Sequence, residues 1–133
     1  VLTSDPNDPD AVLFFSTEDD IETEVHFKLE GETLTPILPD TGGVLVALDG
    51  DQLYGTSNYF YYDEFGNIDS RGDLWRAVES GVGVEGLLTT NGQNVFQLEV
   101  HGQSLYVRTT RALLRLPKSC QTADDTCRFT FGS

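Results

Sequence analysis

One short frame recurs along the chain and limits what it can fold into: a residue followed by glycine, set between alternating apolar positions. It is seen at Glu30-Gly31, Asp49-Gly50, Asn91-Gly92 and His101-Gly102. Glycine accepts the positive φ of tight turns, so each is read as a two-residue β-hairpin turn. The apolar residues three before and four after the first turn position then face each other across the ladder. These pairs are Phe27 with Leu34, Val46 with Leu53, Leu88 with Val95, and Leu98 with Leu105. Such a pattern commits the chain to antiparallel sheets.

The remaining segments fit the same reading. Residues 1–11 hold Asp-Pro and further Asp and Asn residues without apolar periodicity, and are expected to form an extended arm or loop. Thr23–Glu30 alternates, with Val25, Phe27 and Leu29 on one side and His26 and Lys28 turned outward. Hairpins at Glu30-Gly31, at Pro39–Gly43 and at Asp49-Gly50 describe a meander. Asn58–Tyr62 is an aromatic strand closed by the turn residues 63–67. Asp69–Val78 is ambiguous between helix and strand, and its setting among strands favours strand. The expectation is an all-β single domain, 1–133, of about twelve short antiparallel strands. It is β-trefoil-like, or else a closed barrel or a sandwich, built from Gly-turn hairpins. The hairpin frames lie 19 and 52 residues apart, which does not match the equal thirds of a trefoil.

Composition excludes several function classes. The net charge of −14 repels nucleic-acid phosphates and anionic membranes. No apolar run approaches the roughly 20 residues that span a bilayer. The charge is lopsided: residues 1–70 hold sixteen acids and one base, whereas residues 71–133 hold six acids and seven bases. A solvated acidic face accounts for this, as would a dipolar surface that docks a cationic partner or a second subunit. Cys120 and Cys127 enclose a short polar loop. A disulfide there contributes about 2.5 kcal/mol in the loop-entropy model and implies an oxidising compartment. The start at Val1 and the absence of Met suggest a mature secreted product or a fragment.

Candidate chemistry is sparse. His26 and His101 have no sequence partner that marks a catalytic imidazole. Paired acids of a small glycoside hydrolase would need one carboxyl in apolar surroundings, and none lies in such a run, so the enzyme question leans to no. Asp63, Asn67 and Asp69, with Glu64 and the bend at Gly66, offer hard oxygens for calcium without matching an EF-hand loop. Arg71-Gly72-Asp73 spells an adhesion tripeptide too short to decide anything. The aromatic residues say more. Tyr59 and Tyr61 share one strand face, and with Tyr54, Trp75 and Tyr106 they are expected to form a stacking platform for sugar rings.

The strands reading apolar-x-apolar-x-Gly-x-x-Leu-Tyr, at Val46–Tyr54 and Leu98–Tyr106, together with the cysteine-bearing C-terminal end, resemble small secreted fungal cell-wall proteins of the PhiA type. The chain differs from them in its acidity and in having only two cysteines. The resemblance implies an extracellular or cell-wall β protein without a known active site. The expected function is therefore a secreted, non-enzymatic domain that binds carbohydrate or another extracellular protein. The alternatives are a non-catalytic accessory subunit of a larger secreted enzyme and the acid-pair hydrolase.

Overall fold

The computed structural model describes all residues except 1, 4, 19–23, 40–42, 79, 81–83, 92, 121–128 and 132–133, and of residues 18, 24, 59 and 91 the backbone alone. The described residues contain strands and turns and no helix. The strands run in order as β1 (Leu2–Thr3), β2 (Leu13–Glu18), β3 (Glu24–Glu30), β4 (Thr33–Ile37), β5 (Val44–Asp49) and β6 (Gln52–Tyr62). They continue as β7 (Ile68–Ala77), β8 (Glu85–Asn91), β9 (Val95–His101), β10 (Ser104–Thr109), β11 (Leu113–Pro117) and β12 (Phe129–Phe131).

They form three four-stranded sheets, β1–β4, β5–β8 and β9–β12, each with its strands side by side in chain order. No described pairing joins one sheet to another, so the closed-barrel alternative does not form among these residues. The all-β class and the count of about twelve strands hold. Of the segment 69–78, all but Val78 lies in strand β7, and 52–57 and 58–62 merge into the single strand β6.

The glycine turns exist, but one residue later than the frame places them. Leu29 pairs with Leu34 across Gly31-Glu32, and Val100 pairs with Leu105 across Gly102-Gln103. Gly31, Gly50 and Gly102 all have φ near +60°, the geometry of a turn with glycine at its first central position. The shift moves each partner by two residues, so the same side chains still share a face. Two expected hairpins are corrected. The link at 39–43 joins β4 to β5, and that at Asn91-Gly92 joins β8 to β9, so both pass between sheets. Leu88 and Val95 are therefore not a cross-strand pair. The N-terminal arm is in part β1, which pairs with β2. Asp5 and Asp8 then accept the backbone N–H of Asn7 and Asp10 in two successive turns.

The chain divides into two compact units, residues 1–55 with 76–84, and residues 56–75 with 85–133. In the first, one face of β1–β4 bears Phe14, His26 and Ile37, all buried. The backbone N–H of Leu45 in β5 donates to Ser16 Oγ on that face. Leu38, just past the end of β4, lies in the left-handed region at φ +51° and is buried. In the second unit, alternate residues Leu98, Leu105, Val107, Leu114 and Leu116 supply a buried face of β9–β12. Asn58 of β6 grips the edge of that sheet: Val95 N–H donates to its Oδ1 at 2.9 Å and its Nδ2 donates to Val95 O at 3.0 Å. No helix among the described residues is long and apolar enough to cross a membrane.

Candidate functional site

The expected aromatic platform does not assemble. Tyr54, 1% exposed, lies in the core of the first unit with the Arg76 guanidinium 5.9 Å from its ring centroid. Trp75 is 6% exposed, and its indole N–H donates to Ser57 Oγ at 3.2 Å within the second unit. Both sit at inward positions, so neither offers a ring face to a ligand. The Tyr59 side chain lies outside the described residues. Tyr106 is half-buried on β10, stacked against Phe131 at 6.4 Å and edge-on to His101. Tyr61 alone of the described four is openly accessible.

Tyr61 belongs to a different aromatic group that the fold itself projects outward. β6 has 11 residues and β7 has 10, against 6 in β5 and 7 in β8. Since β5 and β6 meet at a two-residue turn, β6 outruns β5 by five residues, about 16 Å at strand rise. The free end of this hairpin carries Phe60 and Tyr62, each 73% exposed, Phe65 at 80% and Ile68 at 66%. Sequence alternation alone could not find this set, because it assumes that one face of a strand packs inward. Where a ribbon extends past its neighbours, neither face is covered. The signal that was present is the length of the aromatic run and the phenylalanine inside its turn.

The tip is held by its acids. Asp63 Oδ1 accepts the backbone N–H groups of Phe65 and Asn67, both at 2.9 Å. Gly66, at φ +81°, donates its N–H to the Asp63 carbonyl at 3.0 Å. The Tyr61 hydroxyl donates to Asp69 Oδ2 at 3.3 Å. Partial burial, the Asp69 carboxylate and then Asp63 push the Tyr61 phenol above its ordinary range, with Arg71 pulling the other way. Of the calcium candidates, Asp63 is thus engaged as a turn cap and Asp69 with Tyr61, and Asn67 shares the Asp63 turn. Among the described residues no three His, Cys, Asp or Glu side chains are grouped as metal ligands.

The remaining candidates have structural roles. His26, expected to face outward, is 2% exposed, because it shares the packed face of β1–β4 with Phe14 and Ile37. Its Nδ1 shares a 2.7 Å hydrogen bond with Ser16 Oγ. That oxygen also accepts the Leu45 N–H, so the pair ties β2, β3 and β5 together and is enclosed rather than open to substrate. Arg71 and Asp73 bond each other at 3.2 Å. Gly72 between them lies inside β7, where a Cβ would meet Val95 N at 2.7 Å. The tripeptide is thus a strand segment with its charges mutually paired. Cys120 is buried, and Cys127 lies outside the described residues.

No family model, curated protein or solved structure matches this chain.

Proposed function

We propose that the protein is a secreted, non-catalytic binding domain whose contact surface is the projecting β6–β7 hairpin, with carbohydrate ring faces as its ligand. The observation behind this is the concentration of large apolar side chains, Phe60, Tyr62, Phe65 and Ile68, on one exposed tip. Scattered exposed apolar residues are ordinary, whereas a contiguous set marks a contact site. Rings offer sugar C–H faces a stacking surface, and the Asp69 carboxylate beside Tyr61 offers a hydroxyl acceptor. Calcium at Asp63, Asn67 and Asp69 belongs to the same proposal. Metal binding there would recruit oxygens now engaged in the turn. An oxidising location rests on a bridge between Cys120 and Cys127, which the burial of Cys120 and the absence of a free thiol among the described residues support.

The test is retention of the native protein on chitin, β-glucan and mannan, with calcium in one arm and chelator in the other. Retention on one polymer supports the reading, and chelator sensitivity brings the Asp63–Asp69 turn into the site. No retention in either arm counts against carbohydrate and turns the search to a secreted protein partner. Thiol alkylation of the unreduced, unfolded chain tests the bridge: no labelling is expected, and labelling at both cysteines would contradict it.

A further inference from the structure

Aromatic rings alone do not choose among sugars, since acidic, neutral and basic sugars all offer C–H faces for stacking. The choice falls to the charged groups around the rings, and on the β6–β7 tip these have one sign. Residues 58–70 contain Asp63, Glu64 and Asp69 and no lysine, arginine or histidine. The next base along the chain, Arg71, is held by Asp73 at 3.2 Å.

The three acids differ in how far the fold uses them. Asp63 Oδ1 is taken up by the N–H groups of Phe65 and Asn67. Asp69 accepts the Ser70 N–H on Oδ1 at 2.8 Å and the Tyr61 hydroxyl on Oδ2 at 3.3 Å. A carboxylate accepts about four hydrogen bonds, so Asp69 keeps lone pairs open. Glu64 is exposed in the turn and has no hydrogen-bond or ion-pair partner among the described residues.

The rings lie alongside these carboxylates. Asp63 donates its N–H to the Asn67 carbonyl at 2.9 Å, and that register continues with Tyr62 opposite Ile68 and Tyr61 opposite Asp69. Phe60, Tyr62 and Ile68 thus share one face of the ribbon, and Tyr61 and Asp69 the other. Glu64 and Phe65 follow each other in the turn that joins the strands. The strands of such a pair are about 5 Å apart, so a sugar stacked on a ring here has a carboxylate within reach.

Ring faces attract cations through their quadrupole, and a neighbouring carboxylate adds to the attraction. An acidic or sulfated sugar is repelled by the same groups, and a neutral one gains nothing from them. Resting on the carbohydrate reading above, we propose that the ligand is a polymer of amino sugars with free, protonated amines. Glu64 and Asp69 meet the ammonium groups, and Phe60, Tyr62 and Phe65 supply the ring faces.

Calorimetric titration of the full chain at mildly acidic pH, with chelator present, compares glucosamine oligomers with fully N-acetylated oligomers of equal length. The free-amine oligomer is expected to bind roughly tenfold tighter, and to lose that advantage as salt rises. Glu64→Gln with Asp69→Asn removes most of the difference and leaves the acetylated oligomer unaffected. Phe60→Ser with Tyr62→Ser keeps the net charge of −14 and weakens both. All four side chains are exposed, and unchanged Trp75 emission reports an intact fold. Equal or tighter binding of the acetylated oligomer overturns the proposal and leaves the carbohydrate reading standing. So does retention on β-glucan or mannan with neither oligomer bound. Undiminished glucosamine binding by the Phe60→Ser/Tyr62→Ser variant overturns it as well, because the charge of the whole chain would then suffice. Lysine oligomers that bind as tightly do the same, since the cation would be recognised without its sugar. Absence of binding to every glycan ends both readings.

Discussion

At Gly72 two backbones come closer than any side chain allows. A Cβ there would sit 2.7 Å from Val95 N and 3.0 Å from both Asn58 Oδ1 and Thr90 Oγ1. Alanine in a strand normally gains about 0.5–1 kcal/mol over glycine from the unfolded chain. Overpacking costs about 1–3 kcal/mol, and here the nearest neighbour is backbone, so the clash wins. Gly72→Ala should therefore lower urea-unfolding stability by about 1–2 kcal/mol, and an unchanged or raised stability would contradict the close approach. Asn58 completes the same knot. Val95 is fully buried, and Asn58→Ala leaves its N–H and C=O without their side-chain partner, a loss of about 2–4 kcal/mol by the same measurement. Neither residue is legible from sequence. The asparagine reads only as the first residue of an aromatic strand, and the glycine as part of an adhesion tripeptide, because their shared partner lies over twenty residues away.

Among the elements, the β6–β7 hairpin behaves differently from the sheets. Its tip side chains touch little, so Phe60→Ser with Tyr62→Ser should change stability by no more than about 0.5 kcal/mol while removing ligand contact. The Tyr61 phenol gives a pH signature. Its raised pKa means that the folded state disfavours the phenolate. This contribution to stability is complete below the ordinary tyrosine range near 10, and it falls as pH rises through the folded value. Asp69→Asn should lower the Tyr61 pKa in an ultraviolet titration; no change would mean that the carboxylate does not act on it. The hairpin turns were readable from glycine to within one residue, since only glycine accepts φ near +60° cheaply. The projecting tip was not, because its exposure depends on where the neighbouring strands stop.

For the whole molecule, the 52-residue spacing of the glycine frames at Asp49-Gly50 and His101-Gly102 is the meaningful one. Both turns join the first and second strands of a sheet. The 19-residue spacing compares the last hairpin of one sheet with the first of the next, which is why the frames failed to divide the chain into equal thirds. The class was legible because alternation and glycine turns are local. The grouping of twelve strands into three open sheets was not, since links such as 39–43 carry the same turn chemistry whether they close a hairpin or leave a sheet. The burial of Tyr54 and Trp75 follows from that grouping, and it moved the candidate site from the inward aromatic residues to the hairpin. The most direct test is equilibrium binding of the wild type and the Phe60→Ser/Tyr62→Ser variant to the polysaccharide that retains the native protein. Loss of binding by a variant that unfolds at the same urea concentration is the predicted result. Equal affinity of the two proteins would contradict the account.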